Sequence, residues 1–130
     1  IDLYIEECCN SYLAILHDST ITIKDKIDAL FTSIGDEHSN MQYYDFFHRV
    51  ENEELHEQLS IKLCKYMYPH LLEAVKKAIA AKEIYIENPE ALISFIIYGQ
   101  VGLLSKSNID HHEVAKLLNQ YVNQLMKFNP

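Results

Sequence analysis

An all-α domain of six helices is predicted, and three observations carry the prediction. Apolar residues recur at helical spacing through most of the chain, with no alternating pattern that would mark paired strands and no internal repeat. Only three Gly and three Pro interrupt 130 residues that are 48% hydrophobic, a balance that suits packed helices rather than disorder. The third observation is the run from Asn88 to Leu104. Asn88 is a good N-cap and Pro89 suits the first helical position, yet the helix they open is apolar all round. Wound at about 100° per residue, it carries Leu92, Ile96 and Leu103 on one side and Ile93, Ile97 and Leu104 on a second. Phe95, Tyr98, Gly99 and Gly102 fill a third. Such a helix needs cover on every side, so a second protein surface is expected against it.

The first helix covers residues 1–17, with Ile1, Tyr4, Ile5, Cys8, Tyr12, Ile15 and Leu16 at helical spacings, and Asp18-Ser19-Thr20 ends it. Thr22 and Asp25 form a capping box for a second helix with a stripe of Ile23, Ile27, Leu30, Phe31 and Ile34, stopped by Gly35. A short third helix, about 40–50, is dense in aromatics: Tyr43, Tyr44, Phe46 and Phe47. Acids at 51–54 then suit the first turn of the longest helix, about 53–82. Its stripe is Leu55, Leu59, Leu63, Tyr66, Met67, His70, Leu71, Ala74, Val75, Ala78 and Ile79, with a kink expected at Pro69. After the apolar fifth helix, Asp110 caps the sixth, with Glu113 at the capping-box position and Ile109 placed to staple Val114. Val114, Leu118, Tyr121, Leu125 and Phe128 step 4-3-4-3, and Leu117, Val122 and Met126 widen the stripe. Lys116, Asn119, Gln120, Asn123, Gln124 and Lys127 form the wet face. Together the last two helices offer more apolar surface than one antiparallel pairing consumes.

Composition narrows the function. The net charge of −8, with Arg49 as the only arginine, argues against this chain gripping a nucleic-acid backbone by itself. Acids at the start do not read as a secretory signal, and the segment after Pro89 is too short and too interrupted for a membrane span. Three cysteines make no disulfide framework, which points to a reducing compartment. Apolar periodicity begins at Ile1 with no initiator Met or capping residue, as expected of a chain cut from a longer protein within a helix.

No nucleophile elbow, phosphate loop, CxxC pair or HExxH helix occurs, and no catalytic residue is assigned. His111-His112-Glu113 reads as a solvated first turn, and neither His48 with Glu51 nor Glu53 with His56 has a third ligand that spacing can place. Cys8 is read as a core residue and Cys9 as partly exposed. His70, on the stripe of the longest helix beside Pro69, is either a satisfied core histidine or a polar contact in a ligand pocket. Tyr12, Phe31, Tyr44, Phe47, Tyr66, Met67 and Tyr98 are further candidates for such a lining, or for a filled core. Gly99 and Gly102 are read as points of close helix approach, since each costs about 1 kcal/mol relative to Ala within a helix.

The run His70-Leu71-Leu72-Glu73-Ala74-Val75-Lys76-Lys77-Ala78-Ile79, a short linker, Asn88-Pro89-Glu90-Ala91, the helix ending Gly99-Gln100-Val101-Gly102-Leu103-Leu104 and the final amphipathic helix together resemble one known architecture. It is the C-terminal regulatory domain of the TetR family of bacterial transcriptional regulators. The motif match spans residues 70–104, and the helix order is compatible over the whole chain. One departure is that Lys82-Glu83-Ile84-Tyr85-Ile86 stands where the family often has a glycine before its proline-containing linker.

The resemblance implies a cytoplasmic homodimer whose last two helices form a four-helix bundle with those of the partner. Leu92, Phe95, Ile96, Gly99, Gly102, Leu103, Val114, Leu118, Tyr121, Val122 and Leu125 are the expected interface. It further implies an unknown small-molecule effector bound among the first four helices, and DNA contacted only through an N-terminal helix-turn-helix domain outside this chain. No enzymatic activity, cofactor, metal or membrane partner is expected. The competing expectation is a helical interaction or scaffold domain with a solid core and an unrelated partner. An all-helical metal enzyme is a third possibility, requiring inward His and Glu from different helices.

Overall fold

The computed structural model describes residues 2–36, 53–104 and 111–127. Five α-helices, and no strand, lie among these residues: α1 (Asp2–Leu16), α2 (Ile23–Asp36), α3 (Glu53–Ala80), α4 (Pro89–Leu104) and α5 (His111–Met126). The all-α expectation therefore holds. The short helix expected at about 40–50, and the Asp110 cap with its Ile109 staple, lie outside the described residues.

The α1–α2 corner is tied by side chains. The Asp18 carboxylate accepts the Thr20 N–H at 2.9 Å and the Thr20 hydroxyl, closing an Asx-type turn. These bonds hold Asp18 below its ordinary carboxylate value. The Thr22 hydroxyl accepts the Asp25 N–H at 3.2 Å, so Thr22 caps α2 as its sequence position requires. The Lys26 ammonium reaches back to the Leu16 carbonyl at 2.9 Å, placing a cation at the negative end of α1. Gly35 does not stop α2 but lies in its last turn.

Helix α3 is the spine. It is continuous through Pro69, whose missing N–H leaves the Lys65 carbonyl without its usual intrahelical donor but does not end the helix. Leu71, Ala74, Val75 and Ala78 are buried on one face of its second half, with spacings of three, one and three. They join Leu16, Ile23, Ile27, Leu30, Phe31, Ile93 and Ile97 in the main core. A smaller cluster of Ile5, Cys9 and Leu59 lies between α1 and the first half of α3, and Met67 packs against both clusters. Helix α3 packs on α1 and α4, while α2 packs chiefly on α5.

Helix α3 ends in a Schellman motif. The Glu83 N–H donates to the Ala78 carbonyl at 2.9 Å and the Lys82 N–H to the Ile79 carbonyl at 3.0 Å. The residue in the left-handed position is Lys82, at φ 64°, so a lysine takes the role usually held by glycine. The turn sends Glu83 to the start of α2, where one carboxylate oxygen accepts the Ile23 N–H at 2.8 Å. The next residue, Ile84, is buried in the main core. The short linker is thus an anchored connection, with Ile84 and Ile86 turned inward and Tyr85 and Glu87 outward.

The Asn88 side chain accepts the Ala91 N–H at 3.1 Å and so caps α4. Of the two apolar sides left open by sequence, the one carrying Ile93 and Ile97 is fully buried. On α5 the buried line is Val114, Ala115, Leu118, Val122 and Met126, which faces the chain's own core. The 4-3-4-3 seam therefore divides, because a line advancing by four keeps to α2 while Tyr121 and Leu125 swing outward. Asn119 and Asn123, read as solvated, are half-buried, and Asn123 Nδ2 donates to Asp28 Oδ1 at 3.5 Å across the α2–α5 seam. Lys24 pairs with the same carboxylate at 2.8 Å.

Three outcomes are expected from this geometry. Lys82→Gly relieves the left-handed backbone and raises the stability measured by urea unfolding by roughly 0.5–1 kcal/mol. Glu83→Ala removes a charge-assisted cap and lowers it by about 1–2 kcal/mol. Burial pushes Asp28 up, but hydrogen bonds from Lys24 and Asn123 outweigh it and hold the carboxyl below its ordinary value. Its contribution is therefore complete at neutral pH and lost as pH falls through the depressed folded value, so Asp28→Asn should flatten stability against pH in the acid range.

Candidate functional site

A cleft of about 240 Å³ opens where the end of α1, the 17–22 turn, the start of α2 and the last turns of α3 meet. One wall is apolar, built from Leu16, Ile21, Ala74 and Ala78. The charged or titratable groups lining the cleft are His17, Lys26, His70, Glu73, Lys77 and Glu83. Each is placed by an element already described. His17 follows the last residue of α1, Lys26 sits in the first turn of α2, and His70, Glu73 and Lys77 climb one side of α3 at spacings of three and four.

The His17 and His70 rings meet edge to face, with centroids 5.8 Å apart and planes 85° from parallel. His70 is also 5.6 Å from the Tyr66 ring. Glu73 pairs with Lys77 at 3.2 Å. That bond, with Lys77, His17 and His70 as neighbouring positive charge, holds the Glu73 carboxyl below its ordinary value. The Glu83 carboxylate is engaged by the α2 backbone, and the Lys26 ammonium by the α1 carbonyl.

Of the residues proposed from sequence as a pocket lining, only His70 borders this cleft. Phe31 is buried in the main core, Tyr12 and Met67 pack against it, and Tyr66 packs on the smaller cluster. Tyr98 is exposed on α4. Tyr44 and Phe47 lie outside the described residues. The cleft residues missed from sequence are the charged ones. The i, i+3 and i, i+4 spacing of His70, Glu73 and Lys77 was visible, but only the fold brings His17 and Lys26 opposite them.

The proposed interface residues divide into three groups. Phe95 is 69% exposed, Tyr121 and Leu125 are each 47% exposed, and Gly99 and Gly102 are also on the surface. Leu92, Ile96 and Leu103 are half-buried against the main core. Val114, Leu118 and Val122 are buried inside the chain's own core, Leu118 to 7% exposure, so a partner cannot reach them in this fold. Among the described residues no close approach is made at the two glycines, since a Cβ at either would meet nothing within 4 Å.

Among the described residues no three His, Cys, Asp or Glu side chains assemble into a metal site. No helix among them is long and apolar enough to cross a membrane. His112 and Glu113 are exposed. The cysteine expectation is corrected: Cys9, not partly exposed, is fully buried between α1 and α3, because the inward line of α1 runs Ile5–Cys9–Leu16. Cys64 is buried too. Its thiol lies 3.5 Å from the Ile97 carbonyl, and burial pushes its pKa to about 11. In the folded protein at pH 8, iodoacetamide should therefore alkylate Cys64 about a hundredfold more slowly than an unperturbed thiol, with full labelling restored in urea, as site-resolved mass spectrometry would measure.

Comparison of the chain with protein-family models, curated proteins and solved structures yields no significant match.

Proposed function

We propose that this chain is the ligand-sensing and dimerisation domain of a TetR-like transcriptional regulator, controlling DNA binding by a separate N-terminal domain. The observation that carries the reading is the apolar surface left open on the last two helices. Phe95, Tyr98, Tyr121 and Leu125 are large, apolar or aromatic, and exposed on α4 and α5. Gly99 and Gly102 add a stretch of α4 with open space above the backbone. Two copies related by a twofold axis would cover these side chains reciprocally, with α4 and α5 of each protomer forming a four-helix bundle. Gly99 and Gly102 would be the points where the helices approach most closely.

The sensing half draws support from the position of the cleft. It borders the C-terminal end of α1, the helix whose other end on this reading leads to the DNA-binding domain. A molecule bound there with different affinities for two placements of α1 would shift the balance between them, and with it operator binding.

The interface half is tested by sedimentation equilibrium of the purified chain at micromolar concentration. The expected mass is twice that of the monomer. Phe95→Asp and Tyr121→Asp, both on exposed side chains, should yield folded monomers with unchanged helical circular dichroism. Leu118→Asp should instead unfold the protein, because it places a charge in the core at a cost of several kcal/mol. A wild-type chain that remains monomeric would remove the dimer reading and favour a helical scaffold whose exposed strip serves a different partner.

A further inference from the structure

We propose that the cleft between α1, α2 and α3 binds a small organic acid, its carboxylate held by His17, His70 and Lys77 and its short aliphatic chain lying on Leu16, Ile21, Ala74 and Ala78. The inference names an effector class for the sensing half of the proposed function, and rests on that reading only for its regulatory consequence. Four observations lead to it.

The first is which groups around the cleft are already answered. The Glu83 carboxylate is held by the Ile23 N–H at 2.8 Å, and the Lys26 ammonium by the Leu16 carbonyl at 2.9 Å. The first ties the end of α3 to α2, and the second closes the α1–α2 corner. The two imidazoles are different: they touch each other edge to face, and neither has a hydrogen-bond partner among the described residues. Their ring nitrogens supply donors that no acceptor among the described residues takes up.

The second observation is the substitute already present. The Glu73 carboxylate sits one turn from His70, pairs with Lys77 at 3.2 Å and is drawn below its ordinary value by Lys77 first, with His17 and His70 contributing. A carboxylate is thus the chemistry this cluster favours. Because Glu73 is exposed and its ion pair is solvated, little is lost when it yields Lys77 to an incoming carboxylate.

The third observation is the apolar lining. Leu16, Ile21, Ala74 and Ala78 place methyl and methylene surface in the same cleft as the two imidazoles and Lys77, so a ligand with both a charged head and an apolar tail satisfies both. The fourth is size. A volume of about 240 Å³ lies below the range of roughly 300–1,000 Å³ that accommodates drug-sized molecules, and so selects a short chain.

The test is a titration of the full chain followed by the ring proton resonances of its histidines, with hexanoate, hexanamide and inorganic phosphate as probes. Hexanoate should shift the His17 and His70 signals along a saturable curve, while hexanamide, lacking the charge, and phosphate, lacking the chain, should bind at least about tenfold more weakly. Glu73→Gln removes the internal competitor and should tighten hexanoate about threefold. His17→Gln with His70→Gln should weaken it about tenfold, with the Lys77→Gln variant as an independent check should the double variant fail to fold. Equal binding of acid and amide, binding of phosphate as tight as hexanoate, or loosening by Glu73→Gln would each overturn the proposal. Sedimentation of the same samples separates the two readings: a dimer that ignores hexanoate overturns this site alone, whereas a monomer that binds it overturns the dimer and leaves the site.

Discussion

The turn that closes α3 organises much of this fold. A 28-residue helix must end somewhere, and here it ends by putting Lys82 into a left-handed conformation at φ 64°. That single backbone choice reverses the chain, delivers the Glu83 carboxylate to the first N–H of α2 and drives Ile84 into the core. Two elements that are distant in sequence, α2 and the end of α3, are thereby held together by one hydrogen bond spanning 60 residues, with Ile84 buried beside it. A left-handed lysine costs about a kilocalorie per mole or more, and it persists because the surrounding contacts over-determine it. The cleft follows from the same turn, since Glu83 and the last turns of α3 line it together with the end of α1 and the start of α2.

Packing of the remaining helices is a matter of which apolar stripe finds a partner within the chain. The spine α3 takes α1 on one flank and α4 on another, and α5 is drawn mainly to α2. The inward line of α5, advancing by four residues from Val114 to Met126, explains why Tyr121 and Leu125 are left outside. Helix α4 buries Ile93 and Ile97 and leaves Phe95 and Tyr98 to solvent. Two neighbouring helices in sequence therefore each keep an uncovered apolar edge, a combination that a symmetric partner would resolve economically on the proposed reading.

Much of the helical architecture was legible residue by residue. Thr22 and Asn88 are good caps, and both accept the backbone N–H that their positions call for. The stripe Ile23, Ile27, Leu30 and Phe31 is buried as its spacing demands. Legibility failed where two helical faces were equally apolar or where a polar side chain found a remote partner. Cys8 and Cys9 are adjacent and similar; periodicity favoured Cys8 for the core, yet packing against Leu59 put Cys9 inside. Asn119 and Asn123 look solvated until Asp28 on α2 is brought beside them. The candidate lining residues were aromatic because aromatics are conspicuous in sequence, yet those among the described residues mostly fill or border the core. The cleft is made instead by histidines, lysines and glutamates from separate elements.

By itself, the sequence determined the helices: their caps, their approximate ends, the all-α class and the surplus of apolar surface on the last two. These are local properties, set by backbone sterics, capping chemistry and the 3.6-residue period. Only tertiary structure decided which face of each helix is buried, that Leu118 belongs to the core while Tyr121 does not, and that His17 meets His70 across 53 residues of chain. The reason is physical: burial and electrostatic pairing depend on what lies opposite a side chain, and that is a property of the assembled helices rather than of any one of them.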